Sequence, residues 1–227
     1  GWVWGMGGCV LFERVRRRPR STLGRSSAAS EVFKGQTDFI TNDNNGLAIN
    51  ATLSMGLATG EILEYSADNG STFTNITGAV TGTVIAHTDA GLTSSDTIQF
   101  RVTDAAGNNG AVASQLITID NTAPATTLAI DTIATDSGSS TTDFVTNDND
   151  GLTVNATLST GLAAGEILEY SKDNGVTFTD ITSSVTGTAV SHVDAGLTST
   201  STIQLRVTDT AGNAGTAATQ LITIDTT

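Results

Sequence analysis

One block of sequence occurs twice in this chain, offset by 105 residues. Thr37-Asp38-Phe39-Ile40-Thr41-Asn42-Asp43 returns as Thr142-Asp143-Phe144-Val145-Thr146-Asn147-Asp148, the stretch from Glu61 to Ser66 returns unchanged from Glu166 to Ser171, and Arg101 to Asp104 returns as Arg206 to Asp209. In that register about 62 of 86 paired positions are identical, without a gap. A solenoid unit runs to about 20–50 residues, so this one is too long to be a single turn of a solenoid. It is long enough to bury a core of its own. Each copy must therefore fold as a domain. The chain divides into a non-repeating segment, 1–36, a first copy, 37–121, and a second copy, 122–227. Near-identical domains in series suit a chain selected for length and presentation. An enzyme rarely needs one site twice, and no catalytic activity is expected.

The second copy is complete and its period is that of strands. Leu152 to Leu158 alternates strictly between apolar and polar, as does Thr202 to Thr208, the pattern of a strand buried on one face. Further strands are expected at 126–131, 166–171, 176–181, 188–193 and 218–224, with a long polar loop from Thr132 to Gly151. Asp173-Asn174-Gly175 is a hairpin turn, because Asn-Gly accepts positive φ at both central positions. About seven short strands without an amphipathic helix predict an all-β fold: tandem immunoglobulin-like Greek-key β-sandwich domains. The single cysteine, Cys9, lies outside the copies, so neither holds a disulfide or a thiolate zinc site. The first copy has no recognisable counterpart of the strand at 126–131 and is expected to lack it.

Charge is distributed unevenly. Seven of the ten Lys and Arg residues fall in 1–36, and from Thr37 onward 21 acidic residues face only Arg101, Lys172 and Arg206, a net charge of −18. Such a surface repels nucleic acid and anionic membranes. Its self-repulsion favours a neutralising divalent cation. Segment 1–36 is expected to be disordered or artefactual: its apolar start is too short to span a bilayer, and its basic run follows the apolar residues rather than preceding them as in a signal peptide. The chain ends at Asp225-Thr226-Thr227, where the first copy continues through Asp120-Asn121-Thr122, so it is expected to be a piece of a longer array.

Acidic and amide residues gather in the loops. Asp131, Asp136, Asp143, Asn147, Asp148 and Asp150 lie in one long segment of the second copy. Oxygen donors of this kind on flexible chain are what Ca2+ takes, although the spacing fits neither an EF-hand nor a nonapeptide calcium repeat. A solvated loop held by Asx turns is the alternative. In a sandwich of this topology, Asp209 and Asn213 are expected to face the preceding linker at Asp120, and the Asp131–Asp150 loop is expected to extend toward the end where Asp225 lies. A shared Ca2+ there would stiffen the joint between neighbouring domains. His87 with Asp89, and His192 with Asp194, read as exposed strand histidines rather than as an acid–base pair. Glu61 and Glu64 point to opposite faces of a strand and cannot form a glycosidase pair.

The string from Asp136 to Asp148 is similar to the opening segment of bacterial Ig-like domains of large repetitive surface adhesins and biofilm-associated proteins. Val207-Thr208-Asp209-Thr210-Ala211-Gly212-Asn213, Ile222 to Thr227 and Ile119 to Pro124 resemble their closing and junction segments. The resemblance implies an extracellular, cell-surface extender stiffened by Ca2+, exported by type I secretion. It would contact neighbouring repeats, and a tip domain outside this chain would hold the host or surface ligand. Two further readings stay open: a carbohydrate- or protein-binding module, and an accessory domain of a secreted hydrolase.

Overall fold

The computed structural model describes residues 10–16 and 38–227. The chain forms two compact units, Gly1–Asn121 and Thr122–Thr227. In the first, the strands are β1 (Val10–Arg16), β2 (Ile40–Thr41), β3 (Leu47–Leu53), β4 (Ile62–Ser66), β5 (Thr74–Asn75), β6 (Val80–Thr81), β7 (Val84–Asp89), β8 (Asp96–Thr103) and β9 (Ala113–Ile119). In the second they are β10 (Leu128–Ile133), β11 (Val145–Thr146), β12 (Leu152–Leu158), β13 (Ile167–Ser171), β14 (Thr179–Asp180), β15 (Val185–Thr186), β16 (Ala189–Asp194), β17 (Ser201–Thr208) and β18 (Ala218–Ile224). Among the described residues the only helical pieces are two 3-10 turns, Thr77–Ala79 and Thr182–Ser184.

Each unit is a sandwich of two sheets. The first pairs β1-β3-β7-β6 with β2-β9-β8-β4-β5, and the second repeats this as β10-β12-β16-β15 and β11-β18-β17-β13-β14. Neighbours run antiparallel except for the two-residue β2 and β11, which lie parallel to β9 and β18. The chain crosses between the sheets from β12 to β13 and again from β16 to β17, the Greek-key connections of immunoglobulin-like domains.

The alternation read from the sequence is the alternation of burial. Leu152, Val154, Ala156 and Leu158 of β12 point inward and meet Leu168, Tyr170, Ile203, Leu205, Val207 and Ile222 from the opposite sheet. Leu47, Ile49, Leu63, Ile98, Phe100 and Ile117 do the same in the first unit. Full burial of each such side chain contributes about 1.5–3 kcal/mol, and neither core contains a cysteine. The Asn-Gly hairpins have the expected backbone, with φ of 59° at Asn174 and 85° at Gly175, and 54° at Asn69 and 86° at Gly70.

Several boundaries differ from the expectation. The opening strand of the second unit runs from 128 to 133 rather than from 126 to 131, so Asp131 is a strand residue, and the register skips it between Ile130 and Thr132 as a bulge. The 132–151 segment contains the short strand β11. The return strand expected at 176–181 shrinks to β14, because the Asp173 carboxylate holds Thr177 in the preceding turn and the chain then leaves β14 into a 3-10 turn.

The first unit does not lack its opening strand. Val10 pairs with Leu53 as Leu128 pairs with Leu158, and the register of β1 shifts between Phe12 and Arg14 as that of β10 shifts between Ile130 and Thr132. The repeat register would have assigned this place to Leu23. Leu23-Gly24-Arg25-Ser26-Ser27 offers no alternating apolar residues, whereas Val10 to Arg16 carries the β-branched and aromatic residues a strand prefers. Strand pairing uses backbone groups, so an unrelated segment can take the position. The expectation of disorder is corrected for residues 10–16. For 1–9 and 17–37 it lies outside the described residues.

Candidate functional site

The acidic segment of the second unit folds back on itself. Thr146 donates its hydroxyl to the Thr135 carbonyl at 2.6 Å, and Asn147 N–H donates to Ser137 Oγ at 2.9 Å. Ser137 in turn donates to Asn147 Oδ1 at 3.0 Å. Asp136 reaches into this fold, where its Oδ2 accepts the Phe144 N–H at 3.2 Å. Its Oδ1 is enclosed without a hydrogen-bond partner among the described residues. Thr135 and Phe144 on either side hold positive φ values of 64° and 59°, a conformation that costs a β-branched or bulky residue free energy and persists only where the surroundings impose it.

The other expected cation ligands distribute as follows. Asp148 Oδ1 accepts the Asp150 N–H at 3.3 Å. That backbone bond holds the Asp148 carboxyl below its usual range, and the Asp148 side chain raises that of Asp150. Asp143 Oδ1 caps Val145 N–H at 3.1 Å. Asp225 joins this end of the domain through its backbone, its N–H donating to the Thr146 carbonyl at 2.8 Å, while its carboxylate accepts from Thr227 at 2.6 Å. Asp131 lies elsewhere, on β10, accepting the Thr157 hydroxyl at 2.6 Å. Asp209 and Asn213 bind each other: the carboxylate accepts the Asn213 N–H and side-chain amide, both at 2.8 Å. Asp120 donates its N–H to the Thr41 carbonyl at 2.9 Å within the first unit.

Among the described residues no three His, Cys, Asp or Glu side chains converge. A cation in the Asp136 loop would thus draw most of its ligands from carbonyl and amide oxygens, which Ca2+ accepts and Mg2+ accepts less readily. The enclosed, unpartnered Asp136 Oδ1 is the feature that fits such an ion.

A second constellation, one the sequence reading undervalued, recurs in both units. The phenol of Tyr65 on β4 donates to Asp89 Oδ2 on β7 at 2.9 Å, tying one sheet to the other, and Tyr170 repeats this with Asp194 at 3.1 Å. His87 and His192 are half-buried against these rings, with centroids 4.7 and 4.8 Å apart, not exposed as expected. Burial lowers both imidazole pKa values, against the pull of the adjacent carboxylates. Burial, then the same carboxylates, pushes both phenols up. Each imidazole is tilted against its phenol, at 57° and 53°, and His192 Nδ1 lies 3.4 Å from Ser184 Oγ. Glu64 and Glu169 are likewise occupied: each accepts from Arg101 or Arg206 at 2.7 and 2.8 Å, and each guanidinium lies over Phe73 or Phe178, 3.8 and 3.6 Å from the ring centroid. No helix among the described residues is long and apolar enough to cross a membrane.

No curated protein sequence matches the chain closely enough to count as a relative. Among solved structures it is similar to the BSP domain of a biofilm-associated protein, at 12% identity over 83% of this chain and 29% of that one, with a TM-score of 0.26. It is also similar to a tetra-tandem repeat in the extending region of a large adhesion protein, at 16% identity over 81% of this chain and 47% of that one, again with a TM-score of 0.26. The chain thus spans less than half the length of either structure. The family model of the bacterial Ig-like domain matches residues 44–121 and again 122–226. With two sandwiches of immunoglobulin-like topology covering the same residues, the chain belongs to the bacterial Ig-like domain family, in two tandem copies.

Proposed function

We propose that this chain is a stretch of the stalk of a large secreted or cell-surface bacterial adhesin, in which each Ig-like unit is a spacer. The observation that carries this reading is the gapless series of near-identical domains of one family, about 62 of 86 positions alike. A catalytic site gains little from being copied whole, whereas a spacer gains length with each copy. The same reading is supported by polar groups that both copies share and that hold each sandwich together, as in the Tyr65–Asp89 and Arg101–Glu64 pairs.

In this reading Ca2+ neutralises the acidic loops and stiffens the array, and the enclosed Asp136 Oδ1 is the anchor ligand. The parent protein would leave the cell by type I secretion, support adhesion or biofilm formation, and carry its ligand-binding tip elsewhere.

The test is small-angle scattering and thermal unfolding of the 227-residue chain with millimolar Ca2+, with Mg2+ and with chelator. The proposal expects a higher melting temperature and a longer maximum dimension with Ca2+ alone. Unchanged melting and shape would remove calcium and leave a plain spacer. A compact, collapsed particle in every condition would remove the stalk as well.

A further inference from the structure

The two units are 105 residues apart in one register, so each serves as a control for the other, and at one place they differ in a way that creates a site. In the first unit a cavity of about 320 Å3 opens between the sheets, lined by Tyr65, Ala67, Asp68, Ile76, His87 and Asp89 among others. The second unit carries the same residues at the matching positions except that Lys172 replaces Ala67 and, on the rim, Val193 replaces Thr88. Lys172 sends its Nζ to Asp194 Oδ1, 3.5 Å away. Ala67 and Asp89 both line the cavity, so a lysine running from the one position to the other lies across it. The second unit's own ammonium therefore occupies the place that stands open in the first.

We propose that the first unit's cavity is a binding site for a primary alkylammonium group, in the position Lys172 takes in the second unit. The carboxylate that would receive it is already set. Asp89 is fixed by the Tyr65 phenol at 2.9 Å and the Gly91 N–H at 2.7 Å, as Asp194 is by Tyr170 at 3.1 Å and Gly196 at 2.8 Å. The methylene chain of the ligand would pass over Ala67, Ile76 and the Tyr65–His87 stack, and long cationic side chains bury their stems in this way. Asp68 adds a second negative charge, held ionised down to a pKa of about 2 by hydrogen bonds from Ser66 and Thr72. Arg101 of the same unit is engaged by Glu64 and Phe73. A lysine side chain of another polypeptide and a free alkylamine share this chemistry.

The test is a heteronuclear NMR titration of the full chain with Nα-acetyl-lysine-N-methylamide, with its norleucine isostere, and with n-butylamine. Saturable shifts at His87, Thr88 and Asp89, with a dissociation constant of about 1–10 mM, are expected for both amines and not for norleucine. Added salt should weaken them. Tighter binding of the lysine derivative than of butylamine would identify a polypeptide as the source, and equal binding a free amine. Ala67→Lys, a residue the second unit shows to be tolerated there, should weaken binding at least about tenfold. Lys172→Ala should give the second unit an amine response around His192 and Asp194 that it lacks in the parent chain. No saturable shift in the first unit, equal shifts with norleucine, or shifts that survive Ala67→Lys would each overturn the proposal.

Discussion

Gly151 and Gly187 permit a sharp test of how these sandwiches are packed, because both have positive φ and only one is enclosed. Gly187 sits at φ 62°, and a Cβ placed on it meets nothing within 4 Å. Gly151 sits at φ 111°, where a Cβ would lie 2.7 Å from Ala195 Cα and 3.1 Å from the Asp194 carbonyl oxygen. Carbon atoms rest about 3.5–4.0 Å apart, and these neighbours are backbone at the end of β16, with no flexible tip to swing away. Gly187→Ala therefore incurs only the left-handed conformation, about 1–2 kcal/mol, less about 0.4–1 kcal/mol returned by a stiffer unfolded chain. Gly151→Ala incurs at least the same net conformational cost and, in addition, about 1–3 kcal/mol of overpacking, so about 2–4 kcal/mol in total. For a domain of this size each kcal/mol moves the melting temperature by about 4–8 °C. Calorimetry of the full chain should show the second unit's transition fall further for Gly151→Ala than for Gly187→Ala, by about 4–24 °C. Peptide-resolved hydrogen exchange should confine both changes to residues 122–227. Gly46 offers a replicate in the first unit, its Cβ position 2.6 Å from Ala90 Cα. Equal losses for the open and the enclosed glycine would refute the reasoning.

Leu168 is fully buried between the sheets, so Leu168→Ala should cost about 2–5 kcal/mol, read as a lower denaturant midpoint for the second unit alone. Arg206→Lys keeps the charge but loses the flat guanidinium over Phe178 and the Nε–H donated to Glu169 at 2.8 Å. With both side chains partly in solvent the expected loss is about 0.5–1.5 kcal/mol, and a double-mutant cycle with Phe178→Leu should return most of it as coupling. Asp173 has its pKa lowered from 3.8 to about 2 by bonds from Thr177 and Ser171. A carboxyl depressed on folding contributes stability that is complete above its unfolded pKa and is lost as pH falls through the folded value. The hairpin should therefore loosen between about pH 4 and pH 2, and Asp173→Asn should flatten that part of the stability profile. Asp136→Asn should remove any Ca2+-dependent rise in melting temperature while leaving the fold of the chelated protein unchanged, as judged by circular dichroism.

The sequence by itself determined the number of domains, the strands that alternate over five residues or more, the Asn-Gly hairpins and the family. Each is written in local pattern: period-two burial in Leu152–Leu158 and Ser201–Thr208, a turn that only certain residues accept, and a repeat that survives translation by 105 positions. Strands such as β11 and β15 were not legible, since two residues carry no period and exist only because a neighbouring strand offers backbone partners. The choice of Val10–Arg16 over the Leu23 register belongs to the same class, because an edge position selects for pairing rather than for identity. The candidate sites divide in the same way. Acidic density was visible in the chain, but the enclosure of Asp136 Oδ1 depends on a loop folding back across residues 135–147. Ala67 and Lys172 are one substitution among many in the repeat. That substitution opens or fills a cavity because β4 and β7 sit in opposing sheets and bring position 67 to Asp89, a juxtaposition across twenty-two residues that only the packed sandwich creates.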